Sequence, residues 1–334
     1  MIMKNILVTG GAGYIGSHAV RALVRAGYDV SILDDLSHGY EEFIPKGVKL
    51  FKFDICHPLD VDAAFAEKQF DAVMHFAGRL EAGFSMVHPN EFFYVNCVGG
   101  FNLLEAMCRH GINKIIFSSS AAVYGEPKVL PIKEDSELKP INNYGVTKLI
   151  FEQMLEMYRK SHAISYVNLR YFNAAGADPE GGIGEKHNPE THLIPNIFKA
   201  VKGDGDFKLF GTDYPTKDGT CVRDYIHVSD LADAHVLALN HLEKLVGDGA
   251  DLTKSFSEVF NLGNGNGYSN KEVIDSVKRV TGKDFKVVEE RRREGDPPVL
   301  IADSSKAEKV LGWKQKFSKI DQIVETAWKF EISK

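Results

Sequence analysis

Residues 5–16 read NILVTGGAGYIG. The first five form an apolar run typical of a buried strand, and Gly10, Gly13 and Gly16 follow it before a helical pattern begins. Glycines at this spacing allow a sharp turn, close approach of a diphosphate to the backbone, and close packing of the helix on the sheet. The helix then directs its free N–H groups at the phosphates. We therefore expect a dinucleotide-binding strand–turn–helix unit at the start of the chain.

The rest of the first half alternates short apolar runs with helical patterns. Strands are predicted at residues 5–9, 29–33, 48–53, 72–76, 114–118 and 164–169. Helices are predicted at residues 14–26, 60–68, 91–110 and 142–161. Strand–helix–strand repeats with right-handed crossovers produce a parallel sheet covered on both faces. The predicted fold class is α/β, with a Rossmann-type doubly wound parallel sheet.

The pattern changes after residue 173, where Gly, Pro and Asp become frequent. Helices are predicted at residues 194–202, 228–241 and 270–281, with strands at 257–262 and 286–290. We expect residues 1–173 to form the NAD-binding domain, to which the chain returns around residues 224–262. Residues 174–334 are expected to form a smaller mixed α/β domain that binds the substrate.

Acidic residues follow the second and third strands. Asp34 and Asp35 come directly after the second strand, where a carboxylate accepts hydrogen bonds from an adenosine ribose and repels a 2′-phosphate. No Arg follows Asp34 directly, so the sequence favours NAD over NADP. Asp54 and Ile55, after the third strand, fit an adenine pocket, although Asp54 is also typical of a helix cap.

A Tyr-x-x-x-Lys motif at Tyr144 and Lys148 lies in a predicted helix, where a spacing of four places both side chains on one face. An ammonium held near a phenol favours the phenolate, so we expect Lys148 to bring the pKa of Tyr144 toward neutrality. Ser118 and Ser120 end the fifth strand, where ligands bind in such sheets. Ser120 is a candidate partner of Tyr144, and the alternative is that these hydroxyls bond only to the local backbone.

Composition excludes several classes of protein. The chain has 334 residues, 44% of them hydrophobic, and a formal net charge of −6. The acidic balance argues against nucleic-acid binding. The four cysteines form no Cys-x-x-Cys pair, so no metal site and a reducing compartment are expected. No signal peptide and no apolar run of ~18 residues is present, which favours a cytoplasmic protein without a membrane partner.

Longer segments carry a family resemblance. They read GGAGYIGSHAVRALVRAGYDVSILD (10–34), HFAG (75–78), SSSAAVYGE (118–126), LRYFNAAGADP (169–179), FGTDYPTKDGTCVRDYIHVSDLADAH (210–235) and RREGDPP (292–298). Together with Tyr-x-x-x-Lys, they resemble the extended short-chain dehydrogenase/reductase superfamily and, within it, the UDP-glucose 4-epimerase family. The resemblance covers essentially the whole chain.

The resemblance implies reversible NAD-dependent epimerisation at C4 of a UDP-hexose, through a transient 4-keto sugar. Tyr144 would take the proton of the sugar 4-hydroxyl, Lys148 would tune it, and Ser120 would help to move the proton. The implied cofactor contacts are Gly10, Gly13, Tyr14, Ile15, Gly16, Asp34, Asp35, Asp54, Ile55, Phe76, Ala77, Gly78, Asn96, Ser118, Tyr144, Lys148 and Phe172. The implied substrate contacts are Ser120, Asn173, His192, Leu193, Leu209, Phe210, Arg223, Arg293, Asp296 and Leu300. Arg293 ends a run of three arginines, which is also typical of a solvated face.

Three positions depart from the family pattern. Leu80 stands where the family commonly has Lys, so any charge there must come from Arg79. Ala122 replaces a frequent Thr. Leu300 is intermediate between the large aromatic residue that restricts the family's site to plain hexoses and the small residue that admits an N-acetyl group. We therefore expect partial tolerance of N-acetylhexosamines.

Alternatives remain at this level. Another NAD-dependent UDP-sugar epimerase, such as a UDP-glucuronate 4-epimerase, and a non-catalytic NAD-binding protein are both considered. A dehydratase is disfavoured because Ala121 and Ala122 stand where it needs an acidic pair. The family also implies a homodimer in which the helices at 91–110 and 142–161 form a four-helix bundle with their copies. The apolar residues predicted to support it are Phe92, Phe93, Phe101, Met154, Met157 and Tyr158, and the alternative is that these residues belong to the chain's own core.

Overall fold

A computed structural model describes residues 4–246, 255–293 and 296–334. Residues 294 and 295 of the RREGDPP segment therefore lie outside the described residues. Within these ranges, every helix is too short or too polar to cross a bilayer.

A seven-stranded parallel sheet forms the centre of the molecule, in the order β10-β6-β5-β4-β1-β2-β3. Its strands are β1 (Asn5–Thr9), β2 (Asp29–Leu33), β3 (Lys49–Phe51), β4 (Ala72–His75), β5 (Lys114–Ser118), β6 (Ser165–Tyr171) and β10 (Ser257–Leu262). The α/β doubly wound fold class is confirmed. The last strand joins from the second half of the chain and pairs in parallel with β6, Phe260 opposite Leu169.

Alternate residues of each central strand face opposite sides of the sheet. Ile6 and Val8 of β1 belong to one buried apolar cluster, whereas Leu7 belongs to a second cluster on the other face. A strand buried on both faces is apolar along its centre, as β1 is from Ile6 to Val8. Both faces must therefore be covered by helices.

The helices lie on both sides of this sheet and in the second half of the chain. Their bounds are α1 (Tyr14–Arg25), α2 (Pro58–Glu67), α3 (Ala82–Val87), α4 (Pro89–Phe92), α5 (Gly100–Arg109), α6 (Asn143–His162), α7 (Leu193–Lys202), α8 (Val228–Val246), α9 (Asn270–Thr281), α10 (Ser305–Leu311) and α11 (Ile320–Ser333). Short 3₁₀ turns span Glu41–Phe43 and Ala121–Tyr124. Helix α9 has the predicted bounds because Ser269 and Glu272 form a capping box at its start.

The helix predicted at residues 91–110 is not one regular α-helix. It begins at Pro89 and contains a π-helical segment, Phe93–Gly99, between α4 and α5. The π segment carries Asn96, whose side-chain amide bonds to the backbone of Arg79 and to the Thr147 hydroxyl. Single π-helical turns commonly occur at functional sites. Here Asn96 on the π segment bonds to residues that are distant in the chain, Arg79 and Thr147.

The second half also builds two smaller sheets. One joins β7 (Asn173–Ala175), β9 (Val222–His227), β11 (Gly267–Ser269) and β13 (Val299–Leu300), and the other joins β8 (Phe207–Phe210) to β12 (Val287–Glu290). A third apolar cluster packs α7, α9 and α11 together with β8. These elements lie beside the carboxyl ends of the large sheet and complete a cavity there.

Candidate active site

A cavity of about 550 Å³ lies at the carboxyl edge of the large sheet. Its wall includes residues that follow four neighbouring strands, namely Gly10 after β1, Asp34 after β2, Phe76 after β4 and Ser120 after β5. Arg223 of the smaller four-stranded sheet lies in the opposite wall. Ligands of open α/β sheets bind at this edge, outside the carboxyl ends of the strands.

The glycine turn leaves space on the cavity side only. A Cβ on Gly10 would lie 2.5 Å from the Ala77 amide nitrogen, and one on Gly16 would lie 2.1 Å from the Gly10 carbonyl oxygen. A Cβ on Gly13 would meet nothing nearer than 3.4 Å. Gly10 and Gly16 are therefore required for packing, whereas Gly13 keeps the start of α1 open toward the cavity. The first N–H groups of a helix have no acceptor within it, so they are available to a phosphate.

The carboxylates predicted to bind the cofactor line the cavity, and they also accept hydrogen bonds from nearby backbone groups. The Asp34 carboxylate accepts hydrogen bonds from the backbone of Ala12 and Leu36, both at 2.9 Å. Asp54 accepts one from the Cys56 backbone at 2.8 Å, which is a local turn and not the helix cap considered for it, because the N-cap of α2 is His57. Burial raises the pKa of Asp34, and its two backbone donors oppose that shift.

Tyr144 and Lys148 lie one turn apart in the first half of α6. The side chain of Asn142 caps this helix by accepting a hydrogen bond from the Gly145 backbone at 2.8 Å. The ammonium of Lys148 donates to the Ser118 carbonyl at 2.9 Å and lies 5.8 Å from the centre of the Tyr144 ring. Both residues line the cavity, as the spacing predicts.

Burial dominates the ionisation of this pair. It raises the pKa of Tyr144 above its usual range, with Tyr171 adding to the shift and a hydrogen bond from Ser120 opposing it. Burial lowers the pKa of Lys148 to about 8, against the opposing charge of Glu152. The net shift of the Tyr144 pKa is therefore upward and not the expected lowering, because loss of solvent is the largest influence on the phenol.

The three serines at the end of β5 have separate partners. Ser118 donates to the Tyr171 hydroxyl at 2.9 Å, and Ser119 donates to Glu152 at 2.5 Å. Ser120 accepts from the Ala122 backbone at 3.1 Å while also lining the cavity beside Tyr144. Ser120 thus combines the turn role considered for this run with a place in the site.

Asn96 lies behind the cavity rather than in its wall. Its amide oxygen accepts from the Arg79 backbone at 2.7 Å, and its amide nitrogen donates to the Arg79 carbonyl at 3.1 Å. It therefore positions the loop after β4, which carries Phe76, Ala77 and Gly78 into the wall. Arg79 also lines the cavity and hydrogen-bonds His38, and its guanidinium lies 3.4 Å from Glu91.

Six of the predicted substrate residues line the far side of the cavity besides Ser120. They are Asn173, His192, Leu193, Arg223, Asp296 and Leu300. Arg223 is oriented by the Pro297 carbonyl, to which it donates at 2.7 Å, and by Asp296 at 3.4 Å. Its guanidinium is thus held in place at the wall, where it is suited to phosphate oxygens.

Three predicted substrate residues lie outside the wall formed by the described residues. Leu209 is 2% exposed and belongs to the apolar cluster beneath α7 and α9. Phe210 and Arg293 pair with each other, the guanidinium lying 4.0 Å from the centre of the ring. Ser118 likewise lies behind the wall, where it holds Tyr171 and Lys148.

Several residues of the cavity wall were not predicted from the sequence. Tyr171, Glu185 and His187 line the cavity. Burial lowers the pKa of His192, but the carboxylates of Glu185 and Glu190 outweigh burial and raise it to about 9. The Glu-x-His-x-x-Glu-x-His spacing of residues 185–192 was the available signal, because it concentrates charge next to a predicted substrate residue.

The chain is similar to known proteins over nearly its whole length. The profile of the NAD dependent epimerase/dehydratase family matches residues 6–263. The chain is 49% identical over 329 residues to the UDP-glucose 4-epimerase of Lactobacillus helveticus, covering 98% of this chain and 97% of that protein. It also matches the crystal structure of UDP-glucose 4-epimerase from Bifidobacterium longum in complex with NAD⁺ and UDP, with a TM-score of 0.92, 38% identity, and coverage of 99% and 98%. The UDP-Glc/GlcNAc 4-epimerase of Campylobacter jejuni matches with a TM-score of 0.83 and 40% identity, covering 99% of this chain and 100% of that one.

Proposed function

The chain belongs to the NAD dependent epimerase/dehydratase family, and from this premise we propose that it is a UDP-glucose 4-epimerase. This isomerase uses NAD to interconvert UDP-glucose and UDP-galactose by epimerisation at C4. The observation that carries the proposal is the convergence of Ser120, Tyr144 and Lys148 on the cavity that also holds the glycine turn.

The residues around the glycine turn fit a dinucleotide. The cavity side of Gly13 is open, the start of α1 points into it, and Asp34 stands at the end of β2. When bound, NAD supplies a hydride acceptor for C4 of the sugar and returns the hydride in the same catalytic cycle. The remaining cofactor residues are proposed to act as the sequence predicts, with Asn96 and Ser118 as positioning residues.

Tyr144 takes the proton of the sugar 4-hydroxyl and returns it. A buried phenol is a poor base, so the reaction requires positive charge near its oxygen. The Lys148 ammonium provides that charge from the same helix face, held by the Ser118 carbonyl. Ser120, which lines the cavity together with Tyr144, carries the proton between the phenol and the sugar.

The far wall binds the UDP group. Arg223 supplies positive charge for the diphosphate, next to Asn173, His192 and Leu193. In this proposal residues 1–173 bind NAD and residues 174–334 bind the UDP-sugar. Phe210 and Arg293, which pair with each other, are proposed to contact the uridine end, whereas the buried Leu209 is proposed to act only by holding the strand that carries Phe210.

Leu300 sets the space available to the sugar. It lies in the cavity wall on β13, partly exposed, opposite Arg223 in the paired strand. A side chain of intermediate size leaves part of the volume that a large aromatic residue would fill. We propose that N-acetylhexosamine forms of the substrate are also accepted, at lower efficiency than the plain hexoses.

The chain is also proposed to form a homodimer through the helices around residues 89–109 and α6. Of the apolar residues predicted to support it, three turn inward and three outward. Phe92, Met154 and Tyr158 pack into or against the core, whereas Phe93, Phe101 and Met157 are 38%, 46% and 64% exposed. A second copy of this chain would cover those three. The four unpaired cysteines support the cytoplasm as its compartment.

The function is tested with Tyr144→Phe. Wild type incubated with UDP-galactose and no added NAD should yield UDP-glucose, because the cofactor is retained through each cycle. The variant should lose at least about 1,000-fold in kcat, within the range contributed by a proton-transfer group, while its NAD content after purification stays that of wild type.

Tyr28→Phe is the matched control, since Tyr28 bonds Asn240 far from the cavity and should keep wild-type turnover. Near-normal turnover by Tyr144→Phe would remove the phenol from the mechanism. Absence of turnover by wild type with both UDP-glucose and UDP-galactose would refute the proposed function itself.

A further inference from the structure

Four side chains of one short segment converge beside the cavity. They are Glu185, His187, Glu190 and His192, named here the Glu/His cluster. One carboxylate oxygen or imidazole nitrogen from each lies within 4.8 Å of all the others. The segment ends at the start of α7, where His192 is the N-cap residue. None of the roles proposed above uses the other three side chains.

The ligand atoms surround one point, within reach of a single ion after side-chain adjustment. The Nδ1 atom of His187 lies 3.6 Å from a Glu185 oxygen and 3.6 Å from a Glu190 oxygen. The Nδ1 atom of His192 lies 3.8 Å from Glu190 and closer still to Glu185. Bonds of ~2.0–2.2 Å from a tetrahedral ion place neighbouring ligand atoms about 3.3–3.5 Å apart. His192 and Glu185, which are in hydrogen-bond contact, would have to separate by about 1 Å, and Glu190 would have to turn one oxygen toward both imidazoles.

One ligand atom lacks any other partner. His187 has a side chain only 9% exposed, and its buried Nδ1 forms no hydrogen bond with any described residue. The atom faces both carboxylates at 3.6 Å, which is beyond hydrogen-bond range. A buried polar atom without a hydrogen bond is costly, and this nitrogen lies where a cation would be shared with the two carboxylates.

We propose that the Glu/His cluster binds one divalent transition-metal ion, of which zinc is the best fit. Two imidazole nitrogens and two carboxylate oxygens are ligands that zinc accepts in tetrahedral geometry. Magnesium and calcium prefer oxygen ligands in larger number, so they fit the cluster poorly. The two carboxylates also balance the charge of the ion. The proposal replaces the sequence-based expectation of no metal site.

A proton is the rival occupant of the cluster. It would lie between His192 and Glu185, which are in close hydrogen-bond contact. That arrangement satisfies one carboxylate–imidazole pair. It leaves the Nδ1 atom of His187 unpaired with any described residue, whereas a metal ion satisfies all four ligands together.

The ion would have a structural role. Four protein ligands close a tetrahedral site and leave no position for a substrate water. The ion would instead fix residues 185–192, which form part of the cavity wall and lead into α7. The site is therefore distinct in chemistry from the Tyr144 pair, although it borders the same cavity.

The test measures metal binding without using turnover. Tag-free protein is treated with a chelator, dialysed and titrated with zinc chloride, and bound zinc is quantified by mass spectrometry. Wild type should bind about one equivalent. His187→Gln and Glu190→Gln should each weaken zinc binding by more than about 100-fold, since losing a direct ligand exceeds the ~10–100-fold effect of an outer-shell group.

The matched control is His162→Gln, an exposed histidine at the end of α6, which should bind zinc as wild type does. Magnesium and calcium chloride should not compete. Zinc should also raise the melting temperature of chelator-treated wild type, and this measurement decides the outcome if the cluster variants do not fold. The proposal is overturned if wild type binds no zinc near equivalence, or if folded His187→Gln binds it as tightly as wild type. Neither result bears on the epimerase proposal, because turnover is not measured.

Discussion

Glu152 forms the buried ion pair behind the catalytic helix. It lies on α6 one turn after Lys148, and its carboxylate meets Arg170 at 2.6 Å and 2.9 Å. The two side chains are 6% and 5% exposed. Ser119 donates a further hydrogen bond to the same carboxylate at 2.5 Å. Replacing Glu152 with Gln keeps the shape of this group but removes its charge.

The expected cost follows from leaving Arg170 charged, buried and unpaired. Removing one partner of a buried ion pair typically costs ~3–5 kcal/mol. The new amide group would also direct N–H bonds toward a guanidinium that carries only donors. Glu156→Gln is the matched control on the next turn of α6, where the carboxylate is 34% exposed and pairs with Arg159. Glu156 also meets Lys160 and Tyr166, but because water reaches this partly exposed network, its loss should cost clearly less than the loss of Glu152.

Urea unfolding at pH 7 measures both free energies of unfolding. Glu152→Gln should lower the transition midpoint strongly at an unchanged m-value, and Glu156→Gln should lower it slightly. The double variant Glu152→Leu with Arg170→Met should recover part of the loss, since an apolar pair leaves no buried charge. Equal losses from Glu152→Gln and Glu156→Gln would refute the reasoning.

The same substitution gives a pH readout. Burial lowers the pKa of Lys148 to about 8, and Glu152 opposes that shift. The ammonium is present below this pKa and is lost above it, so kcat/KM should fall as the pH rises through about 8. Without the Glu152 carboxylate the pKa of Lys148 falls further, and the alkaline limb of Glu152→Gln should move to lower pH. An unchanged alkaline limb would show that another group controls it.

Three further outcomes are expected. Gly16→Ala should destabilise the fold by ~1–3 kcal/mol, because its Cβ would lie 2.1 Å from a backbone oxygen. Gly13→Ala should keep the melting temperature within a few degrees yet weaken NAD binding at least tenfold. Equal effects of the two substitutions in calorimetry and in NAD titration would contradict this distinction. Leu300→Tyr should lower the ratio of kcat/KM for UDP-N-acetylgalactosamine to kcat/KM for UDP-galactose, and Leu300→Ala should raise this ratio, as measured by product separation. If neither substitution changes the ratio, the N-acetyl group does not lie beside Leu300. Phe101→Lys should halve the mass found by light scattering, because it places a charge on an aromatic side chain that is 46% exposed and proposed to lie in the dimer interface. A variant that stays dimeric, or a wild type that is monomeric, would contradict the proposed interface.

Local sequence patterns predicted most of the large sheet. The strands at Asn5–Thr9, Asp29–Leu33 and Lys114–Ser118 have the predicted bounds, and the first helix ends within one residue of its prediction. These elements are buried on both faces or along a wide stripe, so apolar periodicity alone marks them. The Tyr144 and Lys148 pair was likewise predictable, because helical spacing places both on one face.

Contacts between distant residues explain the differences. The π segment at Phe93–Gly99 accompanies hydrogen bonds from Asn96 to Arg79 and Thr147, and no local pattern reveals those partners. Leu209 turned inward because α7 and α9 cover that side of β8. The net rise in the Tyr144 pKa depends on how deeply the folded chain buries the phenol, which the nearby lysine does not reveal.

The amino-acid sequence by itself determined the parallel sheet, the glycine turn at Gly10–Gly16 and the residue types of the catalytic helix, because each depends on spacing within one element. Tertiary structure alone decided which side chains share the cavity and how far burial shifts their pKa values. These properties depend on distances between elements and on exclusion of water, and both arise only when the sheet, the helices and the second half of the chain pack together.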